Sequence, residues 1–179
     1  MLKTLIVIAA VLAVAVIGLL VYAATRPNTF RIQRAMTINA PVDRIHAILT
    51  DLRRGAEWSP FERLDPNIRR TFTGPETGVG SALSWEGNNA VGAGTLTITD
   101  ATPEKIMLKL DMRRPMEGHN IVEYTLTPQG EATTVTWIMH GPMNLIAKVF
   151  HLFMNIEKDL GGAFELGLRD LKGIAEKSA

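Results

Sequence analysis

"WIMHGPMNLIAKVFHLFM", from Trp137 to Met154, changes period in its middle. With Val135 before them, Trp137 and Met139 alternate with Thr136 and His140, the period-two pattern of a half-buried strand. Gly141-Pro142 breaks that pattern. Beyond it the spacing predicts one long helix from about Pro142, in which Phe153, Ile156, Leu160, Ala163, Phe164, Leu168, Leu171 and Ile174 recur every three or four residues with charges between them. Between Met143 and Met154 the oil covers more than one face, and Lys148 alone offers a wet side. A final strand that turns into an over-oily helix raises the question of what that helix covers.

Upstream residues supply the partner. "FRIQRAMTI" (Phe30 to Ile38) alternates like a strand, and "NAPVDRIHAILTDL" predicts a helix, with Asn39 as its cap, Pro41 near its first turn and Ile45, Ile48, Leu49 and Leu52 as its apolar stripe. "EWSPFERLDP" reads as a short turn or helix bounded by Pro60 and Pro66. Then come "IRRTFTG", "GSALSWEGN", "VGAGTLTITDA", "EKIMLKLDMRR", "EGHNIVEYTLTP" and "ATTVTWIMHG", separated by Gly, Pro and Asn turns. Ile106, Leu108, Leu110 and Met112 oppose Lys109, Asp111 and Arg113, as in an antiparallel sheet with one wet face. A sheet of seven strands curls because strands twist, and only the C-terminal helix is long enough to cover the apolar concave face. The expected class is α+β, a curved antiparallel sheet wrapped around a long C-terminal helix.

The front of the chain is different. From Leu5 to Ala24 no charge or proline occurs, and at ~1.5 Å per residue the run spans roughly 30 Å, a bilayer's hydrocarbon thickness. Lys3 and Arg26 flank it and Tyr22 takes the place of an interfacial aromatic. A cleaved signal peptide competes, since Val21-Tyr22-Ala23 has suitably small residues, but the run exceeds the ~7–15 residues of a secretory apolar region. The expected layout is therefore an uncleaved single-pass transmembrane anchor over 1–25, a linker over 26–29 and a folded domain over 30–179. Arg26, Arg31 and Arg34 outnumber Lys3, which by count favours a cytoplasmic domain, but an amino-terminal tail of four residues leaves the side of the domain open. A linker this short, reaching only ~17 Å, keeps the domain against the membrane surface.

Composition narrows the chemistry. A formal net charge of +1 gives no broad field for nucleic acid, and the absence of cysteine removes disulfides, thiolate nucleophiles and Cys-containing zinc sites. No cofactor motif stands out: "WEGNNAVGAG" (Trp85 to Gly94) lacks the GxxxxGK[ST] pattern and a following helix, and reads as a hairpin with Gly92 and Gly94 at a bend. His140 and His151 have no second ligand at helical spacing, so no metal site is expected. His140, just before Gly141-Pro142, reads as a turn histidine.

The order of elements, together with "RAMTINAPVDRIHAILTDL", "WSPFERLDP", "GPETGVGSALSWEGN" and "TVTWIMHGP", resembles the SRPBCC (START-like) superfamily, nearest its polyketide cyclase/dehydrase-type branch, over roughly residues 30–177. The resemblance implies the helix-grip fold and an internal cavity for a hydrophobic ligand. Its members include lipid carriers, hormone receptors, aromatase/cyclases and co-chaperones, so the fold supplies a container rather than a reaction. The expected function is a membrane-anchored binder of a hydrophobic small molecule or lipid. The alternatives are a cyclase/dehydratase-like enzyme on an apolar substrate and a co-chaperone-like interaction domain.

Strand parity and helix spacing name the expected cavity wall: Trp58, Leu83, Trp85, Leu108, Leu110, Met112, Tyr124, Val135, Trp137, Met139, Phe150, Phe153 and Phe164. Met112, Met116, Met139, Met143 and Met154 are expected to cluster near the lid helix, where methionine suits loosely specified apolar ligands. Arg34 shares the inward parity of Ile32, Met36 and Ile38, whereas Asp111 and Glu123 read as outward. No nucleophile–base–orienter set emerges, and His119 is the one weak acid–base candidate. A cavity mouth bordered by His140 and Phe150 and facing the bilayer completes the expectation.

Overall fold

The computed structural model describes residues 1–153 and 155–177; Met154, expected among the clustered methionines, lies outside them. Helix α1 (Leu2–Ala24) is exposed along almost its whole length, with only Ala23 buried. After it come β1 (Thr29–Ile38), α2 (Val42–Thr50), a short α3 (Gly55–Trp58) and a 3-10 turn over Pro60–Arg63. Strands β2 (Arg69–Thr73), β3 (Ala82–Glu86), β4 (Ala93–Thr102), β5 (Lys105–Arg114), β6 (Gly118–Gln129) and β7 (Ala132–Pro142) follow, then α4 (Leu145–Phe153) and α5 (Ile156–Lys177). Among the described residues the strands form one antiparallel sheet in the order β1-β7-β6-β5-β4-β3-β2. This is the helix-grip arrangement.

Two devices bend the sheet. The β4–β5 register shifts between Ile98 and Asp100 and again at Ala93/Gly94, and an extra residue in one strand increases local twist. Gly94 also makes room for Trp85: a Cβ there would lie 2.7 Å from the indole ring and 2.8 Å from the Asp111 carbonyl. Helix α5 crosses the concave face along β1. Near its start Arg34 donates to Glu157 (2.9 Å) and Glu165 (2.7 Å), and further on the Lys172 ammonium donates to the Thr37 carbonyl at 2.9 Å. Phe164, Leu168, Leu171 and Ala175 meet Ile38, Ile45, Ile106, Leu108, Leu126 and Val135 in the core.

Three local expectations need correction. The long C-terminal helix is two helices, because two asparagines each start one: Asn144 Oδ1 accepts from the Ala147 amide (2.8 Å) and Asn155 Oδ1 from the Lys158 amide (3.1 Å). Strand β7 runs through Gly141-Pro142 against Phe30 and Thr29, so His140 is a strand residue opposite Arg31 rather than a turn histidine. Pro41, not Asn39, occupies the cap of α2, and the Asn39 amide instead donates to Glu176 at 2.7 Å.

Candidate ligand-binding cavity

Sheet, α5 and the α2–α3 segment fill the far half of the fold and leave a hollow at the other. The strand ends Thr29, Pro142, Gly118, Arg114, Ala93, Glu86 and Arg69 make one rim of the sheet. Just inside that rim is a cavity of about 340 Å³, at the lower end of the ~300–1,000 Å³ of small-molecule sites. Its floor is β3 to β7: Leu83, Trp85, Leu96, Leu108, Leu110, Met112, Val122, Tyr124, Trp137 and Met139. Leu160 and Phe164 of α5 form one side, and Leu49, Leu52, Trp58 and Phe61 the other. Half-exposed or exposed wall residues (Phe61, Ala90, Val91, Met112 and Leu160) mark the mouth, near the same rim.

An aromatic cluster organises the floor. Trp137 stacks on Phe164 at 4.2 Å and 6°, and meets the edge of Trp58 at 5.5 Å and Tyr124 at 5.3 Å. The helix comes this close because Gly167 has no side chain, a Cβ there falling 2.7 Å from the Trp137 ring. Trp85 Nε1–H donates to the Val91 carbonyl at 3.1 Å, which holds the β3–β4 hairpin against the wall. The indole N–H groups of Trp58 and Trp137 are buried without a hydrogen-bond partner among the described residues. Burial alone raises the Tyr124 pKa far above its ordinary value, so the phenol is neutral at any physiological pH.

Charge is scarce on this wall. Its carboxylates are Asp51, whose Oδ1 accepts from the Arg53 amide at 3.0 Å, and Glu62, whose Oε2 accepts from Arg70 Nε at 2.6 Å. No lysine, arginine or histidine is among the lining residues. Among the described residues no group of three metal-ligating side chains occurs.

The structure brings together ten of the expected wall residues: Trp58, Leu83, Trp85, Leu108, Leu110, Met112, Tyr124, Trp137, Met139 and Phe164. Val135 is absent from the wall because, opposite Met36 and Leu126, it lies in the half of the sheet that the helices close upon, and it is fully buried. Phe150 and Phe153 belong to α4, which lies outside the covering helix, and both are exposed. Met116 is exposed on the β5–β6 turn and the Met143 amide donates to the Asn28 carbonyl, so the methionines do not form one cluster. The mouth is therefore bordered by Phe61 and the β3–β4 hairpin rather than by His140 and Phe150. Lys148, expected on a wet face, is buried. Sequence parity also carried the signal for Leu96 and Val122, whereas Phe61, Ala90 and Val91 enter through loops and left none.

His119 is turned away from the cavity. It pairs with Asp111 across β5 and β6, its Nδ1 2.6 Å from the Asp111 carboxylate, on the face opposite Leu110 and Val122. The His119 hydrogen bond, and next the Lys109 one, hold the Asp111 carboxyl below its ordinary pKa. Stabilisation of this sign is present above the unfolded carboxylate pKa and disappears as pH falls through the lowered one; for a solvent-facing pair it is at most about 1 kcal/mol. His119→Ala is thus expected to lower stability by no more than about 1 kcal/mol and to leave ligand binding unchanged. A binding loss in a fluorescence titration of that variant would contradict the outward placement.

A family model described as polyketide cyclase/dehydrase and lipid transport matches residues 29–176. Among solved structures, protein CV1439 from Chromobacterium violaceum is similar at TM-score 0.55 and 18% identity, covering 84% of this chain and 99% of the other. The Aha1 dimer from Colwellia psychrerythraea gives 0.58 and 16%, covering 82% and 96%. The di-domain ARO/CYC StfQ of steffimycin biosynthesis gives 0.60 and 11%, covering 84% of this chain and 51% of that one. At these identities the likeness is one of fold. No curated protein matches in sequence.

Proposed function

Because the chain belongs to the polyketide cyclase/dehydrase and lipid transport family, we propose that it is a membrane-anchored binder that holds one neutral, hydrophobic small molecule or lipid in the cavity between sheet and α5. The observation that carries this reading is the cavity of about 340 Å³ with its aliphatic and aromatic wall. Burial of a ligand's apolar surface there contributes ~25 cal/mol per Å² removed from water. The anchor is α1, long and apolar enough to cross a membrane and exposed along its length.

The wall also supports a ligand class. A carboxylate inside it meets no cation, and an unpaired buried charge costs several kcal/mol. A carbonyl, ester or quinone oxygen instead suits the neutral phenol of Tyr124, a donor at the cavity floor. All three tryptophans line the cavity, so intrinsic emission reports occupancy.

The test is a titration of the delipidated whole chain in detergent with a long-chain ketone and the fatty acid of matched length. The ketone is expected to bind saturably and the ionised acid at least about tenfold more weakly, a difference of ~1.4 kcal/mol. Tyr124→Phe is expected to cost the ketone about 1 kcal/mol, the net value of one hydrogen bond. Tighter binding of the acid would refute the neutral-ligand class, and no saturable binding of either would refute the reading as a whole.

A further inference from the structure

Helix α4 is amphipathic the wrong way round for water. Its one lysine, Lys148, is 5% exposed, while Ile146, Phe150 and Phe153, which share a face at i, i+4 and i+7, are 60%, 51% and 73% exposed. The lysine is buried for a reason. Its ammonium donates to Asn28 Oδ1 at 2.6 Å and to the Ala24 carbonyl, the last of α1, at 3.5 Å. The final carbonyls of a helix lack partners and its C-terminus carries partial negative charge, so a lysine there both caps and neutralises. The inner face of α4 is therefore fastened to the end of α1, and its oily face points away from the protein.

From this we infer that α4 is an in-plane helix seated in the headgroup layer of the bilayer that α1 enters, fixing the cavity mouth at the membrane surface; the inference rests on the reading of α1 as an anchor. Three observations select a bilayer as the occupant. The oily face is continuous with the end of an exposed apolar helix of 23 residues. The rim from which α1 and α4 leave the sheet carries Arg31, Arg69, Arg113 and Arg114 at or near its strand ends against Glu86, which pairs with Arg69 and Arg114, and Glu117 in the β5–β6 turn; the excess is positive, which suits anionic headgroups. The opposite rim carries Glu76, Glu104 and Glu131 in its turns, against Lys105 and Arg53, which donates to the Glu76 carbonyl. An interfacial helix buries its apolar face by only ~5–10 Å. Ligand would then pass between membrane and cavity without crossing bulk water.

The experiment uses the full chain in phosphatidylcholine–phosphatidylglycerol vesicles, with bimane on one introduced cysteine at a time, since the chain has none of its own. Val14→Cys reports the middle of α1, Ile146→Cys the oily face of α4, and Lys109→Cys the wet face of β5. The expected result is that nitroxide-labelled lipid quenches the labels at 14 and 146, and that aqueous iodide quenches only the label at 109. A deep label at 14 with an iodide-quenched label at 146 would overturn the α4 proposal and leave the anchor standing. A label at 146 shielded from both quenchers would overturn it in favour of a protein partner, such as a second copy of the chain. Iodide quenching at 14 would remove the anchor and the proposal with it.

Discussion

Replacing Phe164 with alanine is expected to remove about 3–5 kcal/mol of stability, the range for a deleted core aromatic. Phe164 is 1% exposed, stacks face to face on Trp137 and joins α5 to the floor of the sheet. Its loss would open a void continuous with the existing cavity, so neighbouring side chains have no reason to close over it. Gly167, one turn on, already brings α5 so near Trp137 and Pro60 that even a Cβ would clash, which limits how far the helix can sink into the gap. Denaturant unfolding of the full chain, followed by circular dichroism in detergent, measures the change. A loss under about 1 kcal/mol would mean that α5 is held by its polar ties alone and not by packing.

Filling the cavity is expected to separate binding from folding. Leu96 and Leu110 face each other across β4 and β5, and both line the wall. Leu96→Phe with Leu110→Trp places two larger side chains into space that no protein atom occupies. Overpacking a full core costs ~1–3 kcal/mol, but here the added atoms gain contacts, so stability should stay within about 1 kcal/mol of the parent chain. Ligand affinity should fall at least tenfold, or ~1.4 kcal/mol. Unchanged affinity in the filled protein would place the ligand elsewhere, the exposed face of α4 being the first alternative.

The strands and their inward faces were legible because period-two alternation is strong in β5 to β7, and Leu108, Tyr124 and Trp137 fall where parity put them. Arg34 was readable in the same way; parity turned it inward, and α5 supplies its two carboxylate partners. The misreadings share a cause. Periodicity does not register a helix break made by a single asparagine, so α4 and α5 merged into one, and Phe150 and Phe153 were carried onto a wall to which α5, not α4, contributes. Lys148 was misread because its partner, the end of α1, is more than a hundred residues away, and no local pattern records such a tie. Phe61, Ala90 and Val91 reach the mouth through turns, whose side-chain directions depend on tertiary contacts such as Asp65 accepting from the Asn88 amide at 2.6 Å.

Native mass spectrometry of the full chain, released from detergent after purification without delipidation, is the most direct test of an occupied cavity. The expected spectrum shows one added mass in the range of a neutral lipid or comparable apolar molecule, retained under activation that strips detergent. The same mass should be absent from the protein carrying Leu96→Phe and Leu110→Trp. A bare chain mass in both proteins, or an identical adduct in both, would contradict a ligand held between the sheet and α5.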